Sequence, residues 1–168
     1  FNGGIRDAVK GSVFGKEESG FADGGGDAAE LKKGILSCLG GGDFPVENPG
    51  QSITYLSCHD NLTLWDKLSA VNWLKPVGDP EEKRLAQNRL CAAIYMCCPG
   101  RVFFLSGEEG ARTKNGDENS YNASIEENAV KWDELYAHSD LIKYYRGLIG
   151  FRKSLPLLNR TDDGLSSD

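Results

Sequence analysis

With 168 residues, 39% of them hydrophobic and 26% charged, the chain has the length of one domain and an ordinary globular composition. A formal net charge of −6 without any basic tract argues against a nucleic-acid surface. No apolar run approaches the length that spans a bilayer, so neither nucleic acid nor a membrane is an expected partner, and a neutral or polar ligand fits better.

In chain order, the sequence opens on Phe1-Asn2-Gly3-Gly4-Ile5 without an initiator Met or a signal-peptide pattern, and a start inside a longer protein is expected. Residues 11–27 read as a long polar, glycine-rich loop, with Gly24-Gly25-Gly26 and Gly40-Gly41-Gly42 as local flexible points. The pattern predicts a helix over 28–39, weakened by Gly34. Ile53-Thr54-Tyr55-Leu56, after the Pro49-Gly50 break, reads as a strand. A second helix is expected over 80–98, with Asp79 as cap, Pro80 in the first turn and Glu82 closing a capping box. Leu90, Ala93, Ile94 and Cys97 give it an apolar face, and Pro99-Gly100 ends it. Val102-Phe103-Phe104-Leu105 reads as a second strand. Residues 106–135 form another long polar loop. A third helix over 140–154, capped by Ser139, carries Leu141, Tyr144, Leu148 and Leu155 on one side. Continuous apolar strands alternating with helices predict an α/β fold with a parallel sheet.

The five cysteines Cys38, Cys58, Cys91, Cys97 and Cys98 are odd in number and contain no CxxC pair, so neither a disulfide framework nor a zinc site is indicated. Cys91, Cys97 and Cys98 are expected to pack as small core residues. This usage favours a reducing, cytoplasmic compartment and leaves export open.

The chemistry concentrates after the first strand, where His59, Asp60 and Asn61 follow at once. An imidazole donor beside a carboxylate acceptor suits adjacent sugar hydroxyls, which both donate and accept. A carboxylate there also stabilises positive charge developing on a sugar ring. In parallel α/β folds, sites are built just past strand C-termini. From the residues alone, Asp60 or Asn61 serves equally well as a helix cap.

Tyr55-Leu56-Ser57-Cys58-His59-Asp60-Asn61, continuing into Thr63-Leu64-Trp65-Asp66-Lys67, closely resembles the fourth signature region of the α-amylase superfamily in its type I pullulanase form. Three more stretches agree in order. Phe1-Asn2 with Ile5-Arg6-Asp7-Ala8-Val9-Lys10-Gly11 looks like the segment after the sixth barrel strand. Gly107-Glu108-Glu109, Arg112-Thr113-Lys114 and Asn119-Ser120-Tyr121-Asn122 resemble the loop after the eighth. Tyr144-Tyr145-Arg146-Gly147-Leu148-Ile149 with Arg152-Lys153 resembles the eighth helix.

The resemblance implies a (β/α)₈ TIM barrel. Residues 1–155 would run from the end of its sixth strand through its eighth helix, and 156–168 would lead towards a C-terminal β domain. It also implies hydrolysis of α-1,6 branch linkages in pullulan, limit dextrin or glycogen with retention of configuration. Carried over by position, Asp60 is the transition-state-stabilising carboxylate, His59 hydrogen-bonds the same sugar, and Asn61 helps at a neighbouring position. Asn119 and Tyr121 line the glucan groove. Trp65 is expected in the core rather than as a sugar platform. Glu108 and Glu109 are expected in a structural or groove role rather than as catalysts, and a thiol nucleophile at Cys58 is not supported.

The family's nucleophile and acid/base carboxyls come from the fourth and fifth strands, which this reading places upstream of Phe1. The chain is therefore expected to be inactive alone. Unpaired edges of the seventh and eighth strands leave a swapped or self-associated assembly open. A non-catalytic glucan-binding or structural module derived from the same barrel, or a different amylolytic specificity, are the alternatives. No cofactor and no metal is assigned.

Overall fold

A computed structural model describes residues 1–40 and 46–159. Gly41 and Gly42 of the expected flexible point, and 160–168 of the expected tail, lie outside the described residues.

The first helix, α1 (Gly3–Lys10), starts where the Asn2 side chain accepts from the Ile5 amide at 3.2 Å, and it stops at Gly11, whose φ is 85°. Helix α2 (Ala28–Leu36) is capped by Asp27, whose carboxylate accepts from the Ala29 amide at 2.8 Å. Its last expected turn tightens into a 3₁₀ turn over Ser37–Leu39. Strand β1 (Ile53–Thr54) follows, then α3 (Leu64–Trp73) and α4 (Glu81–Met96), which together form the crossover to strand β2 (Arg101–Val102). Two short helices, α5 (Ile125–Asn128) and α6 (Trp132–Ala137), interrupt the expected loop, and α7 (Ser139–Ser154) closes the described fold.

The strands pair in parallel, Ile53 opposite Arg101 and Thr54 opposite Val102. Phe103 N donates to Thr54 O at 2.9 Å on one side of β1, and Asn2 N donates to Ile53 O at 2.8 Å on the other. The segment before α1 therefore flanks β1. Both strands are shorter than the apolar runs that announced them. The runs report burial along the chain, whereas a strand lasts only as far as its ladder of hydrogen bonds. Among the described residues the chain is mostly helical, and no helix is long and apolar enough to cross a membrane.

The core joins α1, α3, α4 and α7 through Ile5, Val9, Leu56, Leu64, Leu68, Cys91, Tyr95, Met96, Leu141 and Tyr145. The expected face of α4 is wrong by nearly half a turn. Leu90 and Cys97 are exposed, while Gln87, Asn88, Cys91, Ala92, Tyr95 and Met96 are buried. Hydrophobic periodicity misleads here because the buried face is partly polar. Gln87 and Asn72 exchange two amide hydrogen bonds, 2.7 and 3.2 Å, which satisfy both side chains away from water.

Asp79 does not cap α4 either, since Pro80 holds that position without a side-chain bond. The Asp79 carboxylate instead accepts from Ser69 at 2.6 Å and Asn72 at 3.2 Å. It also lies 3.0 Å from the Arg84 guanidinium, a charge contact too bent for a hydrogen bond. Ser139 lies inside α7, and its predecessor His138 makes no side-chain cap. On α7, Leu141, Tyr145 and Arg152 are buried, Tyr144 and Leu148 are half-buried, and Leu155 falls beyond the helix, 38% exposed. Arg152 turns inward because the end of α4 leaves carbonyls unpaired. Its guanidinium donates to Met96 O (2.8 Å), Cys98 O (2.5 Å), Leu158 O (2.7 Å) and Gly100 O.

Gly34, read as a weakness in α2, is a packing requirement. A Cβ there would sit 2.8 Å from the Ile5 Cα and 3.0 Å from the Ile5 N, so only glycine lets α1 and α2 approach this closely. Gly34→Ala gains about 1 kcal/mol of helix propensity but forces two backbones apart, at a cost of about 1–3 kcal/mol. A lowered urea midpoint is expected; a raised one would show that the helices separate freely.

Candidate functional site

The residues after β1 are held from below and open above. Ser57 is buried and donates to the Glu108 carboxylate at 2.5 Å, while Leu62 anchors the far end of the loop in the core. Between them, the His59 Nε2 stands 3.5 Å from the Asp60 carboxylate, with side chains 82% and 68% exposed. Asn61 turns the chain in the left-handed region at φ 61°, a conformation asparagine tolerates better than most residues. Neither Asp60 nor Asn61 caps α3. Thr63 does: its hydroxyl accepts from the Asp66 amide at 3.1 Å and donates to the Asp66 carboxylate at 2.8 Å. The polar pair past the strand is thus free of the capping duty that its composition equally allowed.

Glu108 reaches this loop from a 3₁₀ turn (Glu108–Gly110) just beyond β2. Its carboxyl is fully enclosed and accepts from Ser57, from Tyr95 at 2.8 Å and from Tyr145 at 3.1 Å. Burial pushes its pKa up, and the three hydroxyls oppose that shift. Burial also raises both tyrosines well above their usual range, so each remains a protonated donor. Tyr145 has one hydroxyl proton yet lies 2.8 Å from the Asn88 amide oxygen as well, while the Asn88 amide nitrogen has no partner. Turning the Asn88 nitrogen towards Tyr145 frees the hydroxyl proton for Glu108 and leaves only an acceptor unpaired. Glu109 points elsewhere and accepts from the Gly107 amide at 2.9 Å. Two adjacent acids so divided, one sealed in the core and one spent on a turn, do not form a catalytic pair.

A second tie joins the two loops. Asp66 accepts from Thr113 Oγ1 at 2.5 Å and from the Lys114 amide at 2.8 Å. Lys114, only 4% exposed, donates to Ser120 Oγ at 2.6 Å and senses the charges of Asp117, Asp60 and Asp66, while burial lowers its pKa. Sequence reasoning quoted Lys114 only as part of a motif; its place near Asp60 makes it part of the site's field. Asn119 and Tyr121 flank Ser120 on the same loop. Tyr121 is 80% exposed, and no hydrogen bond or ion pair joins either residue to His59 or Asp60. The structure places His59, Asp60 and Asn61 on the loop after β1 and these two on the loop after β2.

Trp65 lies in the core with its ring under the Arg84 guanidinium, 4.3 Å from ring centroid to Cζ. Its edge borders a cavity of about 260 Å³ with Arg112, Thr113, Glu134 and His138, and a shallower groove of about 420 Å³ lies between α1 and the 11–27 loop. Neither includes His59 or Asp60. Of the cysteines expected in the core, Cys91 and Cys98 are buried and their thiols are pushed up by burial, Cys98 to about 12. Cys97 is exposed, on the face of α4 that turned out to point outward.

No protein-family model matches the chain. It is 41% identical over 159 residues, 93% of its length, to the pullulanase of Bacillus subtilis (strain 168), and 29% identical over 140 residues to the isoamylase of Flavobacterium sp. Among solved structures it resembles the pullulanase of Paenibacillus barengoltzii complexed with maltohexaose and α-cyclodextrin, with a TM-score of 0.87 and 38% identity over 96% of the chain. The pullulanase of Anoxybacillus sp. LM18-11 complexed with maltotetraose gives 0.83 and 35% over the same share. The chain spans 22% and 18% of the two curated relatives and 25% and 22% of the two structures.

Lys10 ends α1 beneath this site with 2% exposure. Burial first, then the charges of Arg6 and Lys67, lower its pKa to about 8, against the opposing pull of Glu108 and Asp7. Between pH 8 and 10.5 the unfolded chain holds a proton at Lys10 that the native chain has lost, so the Lys10 contribution to stability rises with pH across that window. Below it, the buried ammonium costs on the order of 3 kcal/mol. Lys10→Met should raise the urea midpoint at pH 7, and its advantage over the native chain should shrink from pH 8 to 10.5. The rising slope from Lys67 and Lys114, lowered by burial, and the falling slope from Cys91, Cys98, Tyr95 and Tyr145, raised by burial, are common to both proteins. An advantage that does not change with pH would mean that Lys10 does not carry the effect.

Proposed function

We propose that this chain, which belongs to the type I pullulanases of the α-amylase family over the segment it spans, carries the sugar-gripping side of a site that hydrolyses α-1,6 branch linkages in α-glucans. The observation that carries the reading is the exposed His59–Asp60 pair at the C-terminal end of a parallel strand, on a loop pinned from below by Ser57 and Glu108. Rigid support under two solvent-facing hydrogen-bonding groups is the arrangement that binds a polyol without reorganising.

In this reading Asp60 stabilises the oxocarbenium-like transition state and grips two hydroxyls of the sugar at the cleavage point. His59 donates to the same sugar, and Asn61 contacts its neighbour. Asn119 and Tyr121 border the groove further out, with Tyr121 offering a ring face to the glucan. Residues 1–155 run from the end of the sixth strand to the eighth helix of a (β/α)₈ barrel, with 156–168 as the lead into a β domain. The Asn2–Ile53 and Thr54–Phe103 hydrogen bonds, which set three consecutive segments side by side, support that placement.

Retaining cleavage needs a nucleophilic carboxylate and a second carboxyl that serves as acid and then base. The buried Glu108 and the turn-bound Glu109 do not supply them, so both come from outside this chain, from the fourth and fifth strands of the barrel. Pullulan, limit dextrin and glycogen are the substrates that follow. Similarity to an isoamylase as well as to pullulanases leaves the choice among branched glucans to loops beyond this segment.

The chain alone should release no reducing sugar from pullulan. In the full-length protein that carries this segment, Asp60→Asn should lower turnover by about 10²–10³-fold while leaving the unfolding midpoint unchanged. Undiminished turnover in that variant would remove Asp60 from the mechanism, and release of sugar by the isolated chain would place all the needed carboxyls within it.

A further inference from the structure

We propose that Cys58, His59 and Asp60 together form a binding site for a thiophilic divalent cation such as Zn²⁺ or Cd²⁺. One ligand atom from each residue lies within 4.8 Å of the other two, and the imidazole and carboxylate are already 3.5 Å apart. A tetrahedral ion about 2.0–2.3 Å from its donors needs them roughly 3.3–3.6 Å from one another. The His59–Asp60 pair meets that spacing as it stands. The Cys58 thiol has only about 1 Å to close, which a side-chain rotation supplies.

Nothing locks the three donors away. Cys58 is half-buried, and its thiol makes one weak contact, 3.7 Å to the Asp60 carbonyl. Among the described residues the His59 and Asp60 side chains make no hydrogen bond or ion pair except with each other, so an ion competes with water rather than with a built network. Ser57 and Leu62, fixed in the core on either side, keep the loop from spreading and so lower the ordering cost of chelation.

The donor set selects the ion. One thiolate, one imidazole and one carboxylate suit a borderline or soft cation, whereas calcium and magnesium require several oxygens. Three protein donors leave a fourth position for water. Binding forms a metal–sulfur bond and releases the thiol proton to solvent, and it needs no oxidant. The nearby Lys114 charge opposes a cation at Asp60, so the sulfur must supply much of the affinity. An ion here occupies the two side chains assigned to the sugar and would block glucan. That consequence rests on the functional reading above, but the binding itself does not.

The test is a Cd²⁺ titration of the reduced 168-residue chain, followed by the ultraviolet charge-transfer band of cadmium thiolate and by calorimetry. One equivalent should bind with the band. Cys58→Ser should abolish the band and weaken binding by on the order of 100-fold, and His59→Ala should weaken binding by about 10-fold or more. Cys97→Ser removes the other solvent-facing thiol and should change neither readout. A band that survives Cys58→Ser, a band lost in Cys97→Ser, or no stoichiometric binding would each overturn the assignment. Chemical denaturation of each variant, with a midpoint matching the native chain, separates a lost ligand from a lost fold.

Discussion

A carboxylate taken out of water must be matched by donors, and the matching of Glu108 organises much of this structure. Its three hydroxyl donors arrive from three places: Ser57 beyond β1, Tyr95 on α4 and Tyr145 on α7. Hydrogen bonds inside the core cannot be replaced by water, so losing one leaves a buried polar group unpaired. The end of one strand, the turn after the next and two helices are therefore fixed relative to one point. The loop that presents His59 and Asp60 begins at that point. Its exposed pair begins two residues after Ser57, a side chain that this bond holds in place.

The surrounding architecture follows the same logic of satisfying what the helices and strands leave open. Arg152 collects four carbonyls where α4 ends, and Lys67 gathers the carbonyls of Ser12, Gly15 and Lys16 to hold the loop beyond α1. Asp66 does the corresponding work at the start of α3, tying it to the loop that carries Asn119 and Tyr121. Each is a charged group turned inward to meet backbone or hydroxyl partners. Together with the Ser57–Glu108 bond, the Asp66 contacts tie the chain after β1 to the chain after β2.

How much of this could be read beforehand depended on where the information resides. α2, α4 and α7 are legible because breakers and helical spacing are local, although the caps expected for α4 and α7 are not the ones used. α1 is not legible because eight residues make little more than two turns, too few for a spacing to stand out, and α5 and α6, shorter still, lie within a stretch that reads as loop. The face of α4 was misjudged because Gln87, Asn88 and Tyr95 look like surface residues until their partners on other elements are known. The segment from Tyr55 to Lys67 was legible as a family signature, and the relatives agree on the family. Glu108 was expected in a structural or groove role. Its partners lie 51, 13 and 37 residues away, and no local pattern could name them.

The central claim is that the buried Glu108 carboxylate holds the loop presenting His59 and Asp60. Hydrogen exchange of Ser57→Ala beside the native chain tests it most directly, because the change removes one hydroxyl and leaves the core apolar contacts in place. The account predicts that amides at 55–61 and 105–110 exchange faster together, while those of α1 and α2 keep their native rates. Native exchange at 55–61 in the variant would show that the loop is held by something else, and the support assigned to Glu108 would fail.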